Sequence, residues 1–336
     1  MHKNYSIHKR TTLGIFLILQ LTGCTPLETY QKIVATDCEP PIITHAISVD
    51  ATSIALYCSE PVTAVKDSFF IHPTRTIESI EVHNKIVTIH TDEPLIPGGI
   101  YYIDGMMEDS AHNHVLMNME VFGWNPSPPR LLINEFTTKG SKRHPDTIEL
   151  IVLSDGNIAG MCLYDGIHTS YRQRCIFPSF EVTTGDYVVI HCTDSPQVCE
   201  NLRPEQQFTM DTPSGLSANN GVISLYTTPY GECIDAVIYS NRTHESDESY
   251  QGFGNTINLL RASYIWESGQ WGSLTGDIEL SPEDALRSES MTATRSICRM
   301  YPPVDTDSAA DWHIVPTSKA SFGRENCNTS YTAKRE

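Results

Sequence analysis

Residues 146–156 read DTIELIVLSDG. In an extended strand successive side chains point to opposite faces. Ile148, Leu150 and Val152 then share one face, and Glu149 takes the other. A carboxylate set among apolar neighbours is costly unless a donor satisfies it. Glu149 is therefore a catalytic acid, a metal ligand or a piece of the fold. If it belongs to the fold, Arg299 or backbone N–H groups are the expected donors.

Similar short runs lie on both sides. LLINEF precedes, and AGMCLYDG, DYVVIHC, GVISLYT and CIDAVIYS follow. Upstream, PIITHAISV, TSIALYC, SFFIH, SIEVHN, KIVTIHT and GIYYIDG are separated by Asp50, Glu60-Pro61, His72-Pro73 and Pro97-Gly98-Gly99. Short β-branched and aromatic runs between turn residues predict strands and an all-β fold. A chain of 336 residues has room for about two domains. The boundary falls at GWNPSPPR, residues 123–130, whose three closely spaced prolines predict a stiff linker. Helical signals are confined to residues 243–292, a polar, irregular stretch expected as an insertion. NTINLLRASYIW predicts one short helix. SPEDALRSE predicts another, with Ser281 as N-cap, Pro282 at the first position and Asp284 at the third.

The N-terminus has a different composition. Lys3, Lys9 and Arg10 precede the apolar run LGIFLILQL, residues 13–21. This run is too short to span a bilayer and suits a secretory signal. LTGC follows, ending at Cys24. The segment resembles the lipobox of bacterial lipoproteins, which implies cleavage before Cys24 and lipidation of its thiol, with palmitate among the acyl chains. Thr25 stands where an inner-membrane retention signal would place Asp, so an outer-membrane address is expected. Cleavage removes three basic residues and no acidic ones, leaving 20 Lys+Arg against 41 Asp+Glu and a net charge of −21. Such a surface repels phosphate backbones, which argues against nucleic-acid partners.

Two further resemblances set the domain limits. DATSIALYCSEPV, LIPGGIYYIDG and EDSAHNHV resemble a bacterial Ig-like domain. The second half carries Asn134-Glu135, Asp146, Ile148-Glu149-Leu150, Gly160, Asp165, Gly185, Asp235, Arg299, Asp311-Trp312, Gly323 and Asn326 in order. That set resembles a bacterial lamin tail domain, with Met161 standing where the family has Trp. Together they imply two consecutive Ig-like β-sandwiches. The limits are a signal peptide at 1–23, a tether at 24–40, an Ig-like domain at 41–122 and a linker at 123–129. A lamin tail domain follows at 130–327 with its insertion near 243–292, then a tail at 328–336. In that family the Glu of the IEL strand belongs to the fold and is not catalytic.

Glu135 and Glu149 would form an acid/base pair if both faced one substrate cleft, as glycosidase carboxylates do. Asp305, Asp307 and Asp311 are spaced like calcium ligands. An EF-hand needs Gly where Ala310 stands and a Glu at its twelfth position, so a side-chain-capped turn is expected. Asp109, His112 and His114 offer the start of a transition-metal site without an identifiable third ligand. Nucleophile elbows, HExxH and phosphate-binding loops are missing from the sequence. No catalytic residue, metal or cofactor is therefore assigned.

With Cys24 lipidated, nine cysteines remain. Export permits disulfides, and Cys162–Cys175 and Cys192–Cys199 are the expected pairs. The resulting expectation is a lipid-anchored envelope protein with a binding or structural role, contacting a protein or glycan partner. The first candidate surface is Tyr250, Phe253, Tyr264, Trp266 and Trp271 of the insertion. The alternative is a metal-dependent hydrolase, or an accessory module of one.

Overall fold

The computed structural model describes residues 37–194, 198–241, 247–274, 276 and 278–333. Cys24, the signal segment and the lipobox lie outside the described residues. The chain is mostly β, arranged in several sheets. No helix among the described residues is long and apolar enough to cross a membrane.

The N-terminal half holds eight strands. They are β1 (Ile43–Ser48), β2 (Ser53–Cys58), β3 (Thr63–Ala64), β4 (Phe70–His72), β5 (Ile77–His83), β6 (Ile86–Thr91), β7 (Ile100–Glu108) and β8 (His114–Phe122). One sheet runs β1-β2-β6-β5, and in the other β3, β4 and β8 all pair with β7. Ile54, Leu56, Val87 and Ile89 from the first meet Ile71, Tyr101, Ile103 and Met107 from the second in one core. The six expected strands are all present. The nine-residue β8 is an additional strand, and its sequence HVLMNMEVF gives little signal because it alternates weakly and carries His, Asn and Glu on its outer face.

The C-terminal half begins with β9 (Leu131–Phe136), β10 (Thr147–Val152), β11 (Gly156–Asn157), β12 (Cys162–Ile167) and β13 (Ser170–Ile176). It continues with β14 (Glu181–Val182), β15 (Tyr187–His191), β16 (Gln207–Thr209), β17 (Gly221–Tyr226) and β18 (Cys233–Ser240). Helices α1 (Asp247–Tyr250) and α2 (Thr256–Glu267) follow, then β19 (Leu286–Arg287), β20 (Ile297–Arg299) and β21 (Trp312–Ile314). A six-stranded sheet runs β16-β15-β10-β9-β20-β21 and a five-stranded sheet β13-β12-β17-β18-β19. Ile133, Ile148, Leu150 and Ile190 of the first share one core with Leu163, Ile223, Leu225 and Val237 of the second.

The two halves touch. Gly98 and Gly160 both have positive φ and pack so closely that a Cβ on Gly98 would lie 2.7 Å from the Gly160 amide nitrogen. The proline-rich segment is tied to the second half as well. The Asn125 amide donates to the Asn157 carbonyl at 2.6 Å, and the Asn157 N–H donates to the Ser127 carbonyl at 2.8 Å.

The expected disulfides are absent: all nine described cysteines are free. Strand alternation explains one pair. Across β12 and β13, Cys162 sits opposite Ile176 while Cys175 sits opposite Leu163, so the two thiols point to opposite faces. Cys175 and Cys192 enter the main core, whereas Cys162 packs with Tyr164 and Tyr226 on the other side. Cys199 is free as well, its thiol donating to the Phe322 carbonyl at 3.3 Å.

The insertion contains the predicted helix. Asn255 caps α2, its side chain accepting from the Asn258 N–H at 2.8 Å. SPEDALRSE does not form the second helix. Asp284 bonds back to the Ser281 hydroxyl at 2.9 Å, but the chain then extends into β19. Burial of Ala285 and Leu286 and parallel pairing with β18 outweigh the local helical signal.

Candidate functional site

Glu149 and Glu135 face each other across β10 and β9, next to a register shift between Glu149 and Leu150. Both are fully buried, at 0% exposure. Burial is the largest influence on each and raises the pKa of both carboxyls; for Glu149, held well above the usual range, the Glu135 charge adds to it. Donors from the C-terminal segment meet them. Glu149 accepts from the Asn134 amide at 2.7 Å and from the Gly323 backbone N–H. Glu135 accepts from the Ser296 hydroxyl, from the Ser321 N–H at 2.9 Å and from the Ser321 hydroxyl at 2.8 Å. Asn326 completes the network, donating to the Asn134 side chain and the Arg299 carbonyl, both at 2.9 Å. The pair is sealed from solvent, so no substrate reaches it. It fastens residues 321–326 onto the outer face of the six-stranded sheet.

Gly323 is the tightest point of that fastening. Its φ is +78°, and an added Cβ would meet Asn201 Cβ at 2.8 Å and Leu202 Cγ at 3.0 Å. Only glycine adopts this conformation freely. Gly323→Ala is expected to destabilise the protein by about 1–3 kcal/mol. Urea unfolding of the two chains at one pH measures the difference, and equal midpoints would refute the role given to this glycine.

Arg299, an expected donor for Glu149, instead centres a second buried network. Its guanidinium reaches Asp235 at 2.8 Å, Asp305 at 3.0 Å and Asp311 at 3.4 Å. It also donates to the Ile133 carbonyl at 2.8 Å and lies 4.6 Å from the Trp312 ring centroid. Asp311 accepts from the Thr306 N–H at 2.7 Å and the Thr306 hydroxyl at 2.8 Å. Asp305 and Asp311 thus turn toward an internal cation and cap the 305–311 loop.

The other acidic and histidine groups separate in space. His112 and His114 are exposed, and each lies 3.6 Å from Glu108. Asp109 lies with Asp37 and Glu60, which form with it a cluster of three groups of metal-ligating type among the described residues. Its oxygens already accept from the Ala111 N–H at 2.7 Å, the Asn113 N–H at 2.9 Å and the Asn113 amide at 2.8 Å. That arrangement is a capped turn.

The five aromatic residues proposed as a surface do not form one. Phe253 and Trp271 are buried in the main core, and the Trp271 indole donates to the Asp284 carbonyl at 2.9 Å. Tyr264 and Trp266 pack partly buried against the same core, and Tyr250 is half-buried. The rings hold the insertion onto the sheets because large apolar area is worth more buried than exposed. The large apolar side chains that α2 presents to water are Ile257 and Leu260, beside Thr256 and Glu267.

Among the cavities of the described residues, one opens between the edge strands β19 and β21. Its volume is about 450 Å³, and it is walled by Leu286, Ile297, Trp312, His313 and, from the C-terminal segment, Tyr331. Two signals in the sequence marked its neighbourhood: Trp312 was among the motif residues, and residues 283–290 lay in the insertion. Nothing local showed that the chain end would form one wall.

Known proteins offer three comparisons of unequal weight. An uncharacterized protein of Treponema pallidum (strain Nichols) is 24% identical over 237 residues, covering 66% of this chain and 59% of the relative. The chain therefore spans about three fifths of that relative's length. Among solved structures, the N-terminal part of the bacterial S-layer protein SbsC is 14% identical over 63% of this chain and 46% of that one, with a TM-score of 0.26. The S-layer protein rSbsC(31-844) is 12% identical over 63% and 42%, with a TM-score of 0.25. Scores this low carry no argument about role. The family model TP_1001_2nd, described as "protein second domain", matches residues 129–314, from just before β9 to the last residue of β21. This match covers more than half of the chain and both large sheets, and the chain belongs to that family.

Proposed function

We propose that this protein is a non-enzymatic, lipid-anchored component of a bacterial cell envelope with a binding or structural role. In this reading its two β units are an Ig-like and a lamin tail sandwich held at a membrane through Cys24, on the outer membrane. The observation that carries the structural reading is the internal use of the reactive-looking groups. Glu135, Glu149, Asp235, Asp305 and Asp311 all bond to the fold's own donors, and the two glutamates have no exposure. The lipobox supports the anchor. The acidic surface keeps a tethered chain soluble. Partners are protein or glycan, met by loops and edges of the sheets rather than by a catalytic cleft.

The anchor has a direct test. When the full-length precursor is expressed in a bacterium, the mature protein should take up labelled palmitate and enter the detergent phase on Triton X-114 separation. Cys24→Ser should abolish the label and move the protein to the aqueous phase. A wild-type protein without label would refute the anchor. Protease digestion of intact cells then reports whether the β units face outward.

A further inference from the structure

Buried polar side-chain atoms are nearly always paired, because leaving one unpaired costs about 1–3 kcal/mol. Seven such atoms lack a partner among the described residues, and three of them belong to residues that line the single cavity between β19 and β21. They are Trp312 Nε1, His313 Nδ1 and Glu289 Oε2. Trp312 is 7% exposed, and its ring is fixed against Phe136 and Arg299.

The three atoms ask for different things. An indole N–H is a donor only and needs an acceptor. A carboxylate oxygen needs a donor. His313 Nε2 lies 2.7 Å from the Cys327 carbonyl, which can only accept, so Nε2 carries the hydrogen. In the uncharged ring Nδ1 is then an acceptor and needs a donor as well. Leu286, Ile297 and Tyr331 supply apolar wall, while Glu283, Arg287, Ser290 and Ser330 add polar groups at its rim, Arg287 lying 3.9 Å from the other Glu289 oxygen. The Tyr331 wall is held in place, since its N–H donates to the Ile314 carbonyl at 2.6 Å and Arg295 stacks on its ring at 3.6 Å.

We infer that this cavity binds one neutral, polyhydroxylated ring of the hexopyranose type. Hydroxyl groups both donate and accept, so one ring can answer the indole, the imidazole and the carboxylate together. Its C–H faces suit the Leu286, Ile297 and Tyr331 walls. A volume of about 450 Å³ lies within the usual range for small-molecule sites, roughly 300–1,000 Å³. A cationic amine would satisfy Glu289 and His313 but leave the indole N–H without an acceptor. This assignment names a ligand class for the recognition role proposed above and rests on that reading; it is independent of the lipid anchor.

The test uses the chain from residue 24 onward with Cys24→Ser, so that a failed anchor cannot affect the result. Calorimetric titration with glucose, galactose, mannose and N-acetylglucosamine should give saturable binding for at least one of them. Trp312→Phe keeps an aromatic ring and removes the N–H; Glu289→Gln removes the carboxylate charge at a half-buried position. Each should weaken binding about tenfold, as expected for one lost hydrogen bond. Glu289→Gln decides the matter if Trp312→Phe fails to fold. Reducing-end and non-reducing-end oligosaccharides of the binding sugar distinguish a free monosaccharide from the end of a glycan chain. Absence of saturable binding by all four sugars, binding unchanged in Glu289→Gln, or preference for choline over every sugar would each overturn the assignment, with ordered water as the occupant in the first case.

Discussion

Replacing Arg299 by alanine is expected to destabilise the protein by about 3–5 kcal/mol, the usual cost of removing one partner from a buried ion pair. The guanidinium is 1% exposed and Asp235 is equally buried. Without Arg299, the Asp235 carboxylate loses its cation, and the Ile133 and Val304 carbonyls lose their donor. For a unit of this size the change corresponds to a drop in Tm of roughly 10 °C. Arg299→Lys should fall between, since an ammonium keeps the charge but cannot reach three carboxylates and two carbonyls as a fork does. The loss should shrink at pH 5. Burial raises the Asp235 pKa, and the guanidinium is the main influence opposing it. Once the guanidinium is gone, Asp235 takes up a proton in acid and no longer needs a cation. Thermal melts at pH 7 and pH 5 check both statements. A loss under 1 kcal/mol at pH 7 would show that the network is incidental.

Glu149→Gln should change how stability depends on pH. Burial and the neighbouring Glu135 charge hold the Glu149 carboxyl well above its ordinary value of 4.5 in the folded state. The folded chain therefore keeps a proton that the unfolded chain releases. The contribution is complete below pH 4.5 and is lost as pH rises through the folded value. Within that window, unfolding free energy falls by up to about 1.4 kcal/mol per pH unit. Glutamine cannot titrate, yet it retains an acceptor oxygen for the Gly323 N–H. Urea unfolding from pH 5 to pH 7 should show a steeper decline for the native chain than for Glu149→Gln. Parallel declines would mean that Glu149 is ionised in the fold.

The parts of the fold that were legible are those set by neighbours in the chain. Alternation placed Ile148, Leu150 and Val152 inward and Glu149 outward, as found. The run NTINLLRASYIW predicted α2. The same local reasoning failed where distant contacts decide. Ser281 and Asp284 make a capped turn, but β18 recruits the next residues as a strand. Cys162 and Cys175 are close in sequence on adjacent strands, but the pleat sends them to opposite faces. The insertion's aromatics looked like a surface because their burial depends on which sheets lie above them.

Glu149 shows the division most directly. From the sequence alone came an apolar strand, a carboxylate on its other face and the demand for a donor, because side-chain period and desolvation cost are local properties. The donors themselves were a matter of tertiary structure. Asn134 lies one strand away, but Gly323 stands 174 residues along the chain, and Ser321 lies 186 residues from Glu135. The cavity between β19 and β21 arises in the same way, from an insertion, a sheet edge and a chain end that meet only after folding. Hydrogen-bond partners are selected by distance in space, and no local pattern encodes a distance across hundreds of residues.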